Sequence, residues 1–424
     1  MAVAKSPAPS PDQIDLSGQA FWHQPAEVRD AAFAVLRRER PVAWQRAPES
    51  VMMGPDFETT GYWAVTRYDD VRAVSRDPST FCSGEGVMFE DAPPELLEAS
   101  ISFLGTDAPR HTKLRGLVSA AFTPRQIARI EARIAELARE IVDELAPRGE
   151  CDFVEQVSRR LPMATISELM GVPDSMRDEV VRHADELVGW NDPDVLLGRD
   201  ALEMNFQSII YLTGVALELA DHRAEHPADD LMTALVQAEV DGDRLLPEEI
   251  GAFFVLLSVA GNDTTRHTTS HGLRALTHNP DQRRLLLEDV EGRVPLAVEE
   301  MIRWATAVMT FRRTATRDTE LHGQPIAAGE KVVLFYTSAN RDEEAFDQPE
   351  RFDVLRDPNH HVGFGGGGPH YCLGASLART QLRCIFSELL TRLPDIEAGE
   401  PEYLMGNFIN GIKRMPCRFT SRAA

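Results

Sequence analysis

Helical periodicity dominates the pattern of apolar and polar positions. Apolar residues return every three or four places over residues 26–40, 124–146, 174–187, 201–222, 247–278 and 295–306, the spacing that gives a helix one buried face. Several of these runs open on proline in the first turn or on Asp, Ser or Thr, which suit the unpaired amides of a helix start. Alternation of period two, the strand signal, is confined to 61–66, 312–316 and 331–336. Residues 84–107 contain Pro93-Pro94 and no period, which predicts a long loop of the kind that carries function. No repeat and no linker divides the chain, so it reads as mainly α with a small β portion. A disordered tail is expected over residues 1–18, followed by one domain over 19–424.

Length alone would suggest two or three domains, so the absence of a linker is the stronger argument. The longest apolar stretch, residues 251–261, is short for a membrane span and long enough for a buried helix. Residues 1–11 lack the apolar run of a signal peptide. Five cysteines, Cys82, Cys151, Cys372, Cys384 and Cys417, are scattered without C-x-x-C pairs. That spacing fits neither a disulfide framework nor structural zinc, and a reducing cytoplasm is expected. A net charge of −23 opposes nucleic-acid binding.

Candidate chemistry concentrates at Phe364–Gly374, which reads F-G-G-G-G-P-H-Y-C-L-G. Cys372 stands just before an amphipathic run (Leu373, Leu377, Ile385, Leu389), so its sulfur is expected at a helix N-terminus, where amides and dipole favour a thiolate. The preceding glycines would let backbone approach a large flat group, and a haem with Cys372 as axial ligand is the reading that joins both features. A buried structural thiol beside a flexible glycine segment is the plainer alternative. Gly363, Gly365 and Gly368 also fit the dinucleotide fingerprint, but Asp357-Pro358-Asn359 before them is turn chemistry and Arg383 stands where an acid belongs.

A second candidate lies inside the run 247–278. Gly261-Asn262-Asp263-Thr264-Thr265 are poor helix formers in succession, together costing roughly 3 kcal/mol in propensity. They predict either a helix ending at Gly261 or a distorted turn where Gly261 makes room for a ligand. In the second case Asp263 and Thr264 form an acid–alcohol pair able to relay protons into an apolar pocket.

Together these motifs resemble a bacterial cytochrome P450, from about residue 20 onward. Residues 260–264 resemble the family's oxygen-activating helix motif, Glu300-Met301-Ile302-Arg303 its E-x-x-R, and Pro349-Glu350-Arg351-Phe352 the element supplying the second arginine of a Glu300–Arg303–Arg351 network. The resemblance implies a single triangular helical domain around a buried haem b (iron protoporphyrin IX). Cys372 would be the metal ligand, and Asp263 and Thr264 the proton donors for O–O cleavage. By the same resemblance His111, Arg115, Arg313 and His370 hold the propionates, with Ala260, Gly261, Phe364, Gly365 and Gly374 against the ring. One departure is that Phe364 lies eight residues before Cys372, with Gly365 at the more usual position of the aromatic ring.

This longer loop, with 303–306 and 407–413, resembles the subgroup that hydroxylates terminal methyls of steroid side chains and methyl-branched lipids; Ala307 departs from its usual proline. The implied reaction is monooxygenation of an unactivated C–H bond of a hydrophobic small molecule with O2. Electrons would come from a ferredoxin and an NAD(P)H-dependent ferredoxin reductase, with Lys113, Arg379 and Arg383 as a docking patch. Terpenoid or secondary-metabolite substrates are the alternative, and a peroxide-driven peroxygenase or a non-catalytic haem protein the different classes. Candidate pocket residues are Val87, Met88, Phe89, Val259, Ala260, Val308, Met309, Thr310, Phe408 and Ile409.

Overall fold

A computed structural model of the chain describes residues 10–53, 57, 59–93, 96, 102–120, 124–240 and 242–421. Its longer helices are α1 (Ala26–Glu39), α2 (Tyr68–Arg76), α3 (Arg110–Ala120), α4 (Pro124–Leu145), α5 (Arg160–Met170) and α6 (Asp174–Glu186). They continue with α7 (Ala201–Glu225), α8 (Leu231–Gln237), α9 (Pro247–His278), α10 (Pro280–Leu287), α11 (Val290–Ala305) and α12 (Ala375–Arg392). Each predicted helix is present. The one expected at 295 starts earlier because the Asp289 carboxylate caps it, accepting from Gly292 N at 3.0 Å, and Pro295 lies inside.

α9 runs through the middle of the structure. Its first half is apolar on most faces (Ile250, Phe253, Phe254, Val255) and packs with Leu114, Val118, Ile166, Leu169 and Leu212 of α3, α5 and α7. Its second half gives Leu273 and Leu276 to a core shared with Val298 and Met301 of α11 and Ile385, Phe386 and Leu389 of α12. An apolar surface on both halves leaves a helix no solvent face, so it becomes the axis of the fold.

Strands β1 (Val42–Gln45), β2 (Tyr62–Val65), β3 (Phe81–Cys82), β4 (Thr310–Ala315) and β5 (Lys331–Phe335) form one sheet in the order β1-β2-β5-β4-β3. β2 and β5 pair in parallel with Tyr62 opposite Lys331, and the other pairs are antiparallel. An aromatic cluster of Trp22, Phe33, Tyr62, Phe89 and Phe335 seals its N-terminal side.

The expected disordered tail is corrected over its second half. Leu16 is fully buried, its N–H donating to Gln45 Oε1 at 3.0 Å and its carbonyl accepting from Trp22 Nε1 at 2.9 Å. Apolar side chains at Ile14 and Leu16 dock on the aromatic cluster, and residues 1–9 lie outside the described set. Of the predicted loop 84–107, residues 94–95 and 97–101 also lie outside it.

Candidate active site

Cys372 follows a tight glycine loop and precedes α12, with Gly374 at the helix cap. The Cys372 amide closes the loop by donating to Phe364 O at 3.1 Å. Cys372 is exposed, yet burial is the largest influence on its thiol and pushes it up. The two facts agree if the sulfur faces open space inside the protein rather than bulk water. Opposing that push are the Gly374 N–H and the charges of Arg115 and Arg379, the helix-start environment expected for a ligating thiolate.

The loop is pressed onto α2. Gly368 adopts φ +75°, and a Cβ there would meet Ser75 O at 2.2 Å, whereas one on Gly374 would meet nothing. A Gly368→Ala variant is therefore expected to lose about 2 kcal/mol of stability from left-handed strain and overpacking together, with haem content falling in parallel. Gly374→Ala, whose Cβ would meet no protein atom, should retain the stability. Equal denaturant midpoints for the two variants would refute the account.

The expected propionate ligands converge. His111 and His370 lie with ring centroids 4.3 Å apart, and His370 Nε2 shares a 3.1 Å hydrogen bond with Ser83 Oγ. Both rings leave a buried nitrogen without a partner, His111 Nε2 and His370 Nδ1. Arg115 Nη2 donates to Tyr371 O at 2.6 Å and Arg313 Nη1 to Arg312 O at 2.6 Å. Among the described residues neither guanidinium has a carboxylate partner. Burial, then Arg313, His111 and Arg115, hold the His370 imidazole down at about 3. Four groups that carry or can carry positive charge, two with orphaned nitrogens, form a site built for an anion. The two carboxylates of haem b fit that site, as the exposed thiol fits its iron.

α9 corrects one expectation. The helix is unbroken from Pro247 to His278, and Gly261 makes no room for a ligand: a Cβ there would strike Ile166 Cδ1 at 2.5 Å. Its glycine serves the contact with α5. The poor helix formers are accommodated because their side chains bond back along the helix, Asn262 Nδ2 to Ser258 O at 2.7 Å and Thr264 Oγ1 to Ala260 O at 2.9 Å. Ala260 is exposed, and Gly261 and Thr264 partly so, in the middle of this buried helix. Asp263 is fully buried. One of its oxygens accepts from Arg266 and the other has no partner. Arg266 is shared with Asp185 at 2.9 Å, so burial outweighs its pull and the Asp263 carboxyl rises to about 7.

A second correction concerns the buried ion network. Glu300 and Arg303 are fully buried and doubly bonded at 2.7 Å. The third member is Arg356, whose Nε donates to Glu300 Oε2 at 3.2 Å, not Arg351. Arg351 is exposed and offers only its carbonyl, to Arg303 and Arg356. The turn after residue 351 reverses the chain, so the arginine five places later points back into the core. Of the expected docking patch, Arg379 is engaged by Glu299 at 2.7 and 2.9 Å and lies over the Phe364 ring, and Lys113 pairs with Asp243 at 2.6 Å. Arg383 is exposed.

The pocket candidates divide into two groups. Val87, Met88, Val259, Ala260, Val308 and Phe408 keep open surface. Phe89, Met309, Thr310 and Ile409 are packed, Phe89 and Met309 within the aromatic cluster, so they back the wall without reaching its surface. Sequence reasoning missed Trp190 and Met204, which cluster with Met88 and Phe408; the aromatic–glycine pattern at residues 189–190 gave no usable signal. A surface cleft of about 380 Å³ lined by Val290, Val294, Arg383 and Ser387 holds none of the chemical residues except Arg383.

Comparison with known proteins agrees with this geometry. The family model described as cytochrome P450 matches residues 215–394. The chain is 43% identical over 95% of its length to a methyl-branched lipid omega-hydroxylase of Mycobacterium tuberculosis, covering 94% of that protein. It is 42% identical over 90% of its length to a steroid C26-monooxygenase of Rhodococcus jostii, covering 80% of it. A solved Mycobacterium marinum cytochrome P450 in complex with pseudoionone is 56% identical, with a TM-score of 0.92 over 98% of this chain and 100% of that one. Among the described residues no helix is long and apolar enough to cross a membrane. By full-length identity, fold and a cysteine loop suited to a haem-thiolate centre, the chain belongs to the cytochrome P450 family and is a monooxygenase.

Proposed function

We propose that this enzyme hydroxylates a methyl-branched end of an apolar chain, a branched lipid first and a steroid side chain second, with electrons from a ferredoxin and its NAD(P)H-dependent reductase. The main support is the composition of the open wall: Val87, Met88, Val259, Ala260, Val308 and Phe408 carry no charge and, apart from backbone, no polar group. Such a wall recognises shape, and an aliphatic C–H offers nothing else to recognise. The names of two relatives point the same way.

When bound, haem supplies activation of O2 and insertion of one oxygen atom into the C–H bond. Cys372 would hold its iron, with His111, Arg115, Arg313 and His370 on its carboxylates. Ala260 presents only a methyl group to the open side of α9, where a larger side chain would fill the space. Thr264 holds its hydroxyl proton toward Ala260 O, keeping one lone pair free to accept a proton and pass it on. Asp263, the preceding residue, is fully buried with one carboxylate oxygen unpartnered and titrates near neutrality; in this reading it restores that proton.

Optical titration of the ferric enzyme with a methyl-branched fatty acid, cholest-4-en-3-one and pseudoionone tests the substrate reading. The branched acid is expected to give a saturable low- to high-spin Soret shift at micromolar concentration. A response to pseudoionone alone would transfer the proposal to terpenoids, the second reading, which the pseudoionone-bound structure favours.

A further inference from the structure

Glu90 is 1% exposed, and the mechanism does not use it. Its carboxylate accepts from Asn191 Nδ2 and Asn407 Nδ2, each at 2.7 Å, and from Trp190 Nε1 at 3.4 Å, with Ser50 also bonded to it. These donors are neutral, and burial pushes the carboxyl up. An isolated acid in such a place is costly unless its oxygens are fully engaged. Here they are engaged by separate segments of chain.

Each segment carries part of the proposed pocket wall. Met88 precedes Glu90 by two residues and clusters with Trp190 and Met204. Phe408 follows Asn407, stacks on Trp190 with centroids 6.1 Å apart and touches Phe311 at 5.7 Å. On the other side of the same turn, buried Asp192 accepts from Lys413 Nζ at 3.2 Å and from Met405 N at 2.9 Å. The turn at 190–192 is therefore held to the loop of residue 90 by one carboxylate and to the C-terminal segment by another.

We propose that Glu90 is a positioning residue: it clamps residues 190–191 and 407–408 to the Met88 loop and so sets the pocket shape that selects the carbon attacked. The proposal rests on the pocket assignment above, but the clamp itself is independent of which substrate binds. Its chemistry is specific. Trp190 Nε1 only donates, and Asn191 is fixed in orientation because its Oδ1 accepts from Gln19 Nε2 at 3.3 Å. A methionine at position 90 has nearly the same volume but no oxygen to accept these bonds, whereas a glutamine could still turn its amide oxygen to Asn191 and Asn407, which share Oε1.

Hydrogen–deuterium exchange on haem-loaded Glu90→Met enzyme tests the clamp. Amides of 188–197 and 405–410 are expected to exchange about tenfold faster than in wild type, the loss of one or two buried hydrogen bonds, while β2 and β5 stay protected. A purely volume-filling side chain would be replaced by methionine without effect. Unchanged exchange in both segments, in a variant with normal haem content, overturns the proposal. If Glu90→Met loses haem, Asn407→Ala carries the same test: 405–410 should be released while 190–191 stays held. Product distribution from pseudoionone is the second readout. Clamped exchange lost with one unchanged product would leave the clamp standing and remove its role in selectivity; unchanged exchange with altered products would remove the clamp.

Discussion

Replacing Asp263 by asparagine is expected to slow product formation about 100-fold, the lower range for losing a positioned proton donor, with haem content unchanged. Asp263 has one oxygen on Arg266 and one free, and the chain of charges continues through Asp185 to Arg159 at 3.4 Å and on to Glu155 at 2.9 Å. Glu155 is exposed, so the series runs from the buried acid to solvent. A donor must hold its proton, and burial places this carboxyl at about 7. Wild-type turnover should fall as pH rises through about 7, and the asparagine variant should lack that limb. The sign for stability is the same: the folded state keeps a proton that the unfolded chain releases near 3.8, so this group's contribution is present below that value and lost as pH rises through about 7. Thr264→Ala should instead consume NAD(P)H and release hydrogen peroxide with little product. Rates within a few-fold of wild type in both variants would remove the pair from proton delivery and reopen a peroxide-driven reaction.

Arg356→Ala is expected to cost about 3–5 kcal/mol, the range for removing one partner of a buried charge network, with loss of haem on purification. Glu300 has four partners in this structure: Arg303, Arg356, Asn359 Nδ2 at 3.0 Å and Asp353 N at 2.9 Å. Without Arg356, Glu300 keeps a single guanidinium in a site with no access to water. Arg351→Ala, by contrast, should change stability by less than about 0.5 kcal/mol, since its guanidinium makes no contact with Glu300. Denaturant unfolding of the two variants decides it, and the reverse ranking would restore Arg351 to the network.

That pair also shows where sequence reasoning stops. Helices announce themselves through periodicity, and α9 was legible to its end residues because proline opens it and Asn279-Pro280 closes it. Cys372 stands out in the sequence because it closes a glycine loop just before an amphipathic run, whereas His111, Arg115, Arg313 and His370 enter only through the family resemblance, since single His and Arg residues carry no signal of what they face. Arg351 against Arg356 was not legible, because two arginines on one turn differ only in which way the backbone sends them. Gly261 was misread for a related reason: a glycine in a helix signals close approach, and the sequence does not say whether a ligand or Ile166 does the approaching. Trp190, Asn191 and Glu90 come together only through tertiary structure.

The parallel pairing of Tyr62 with Lys331 also fixes an order of events during biosynthesis. At about 5–20 residues per second, β2 leaves the ribosome roughly 15–50 s before its partner exists. Until then β2 offers an open edge on its β5 side, its apolar residues Tyr62, Ala64 and Val65 lacking their final cover. Such edges are where chains stick to one another. Yield of this enzyme in a recombinant host is thus expected to depend on chaperone supply and slow induction more than on the stability of the finished fold.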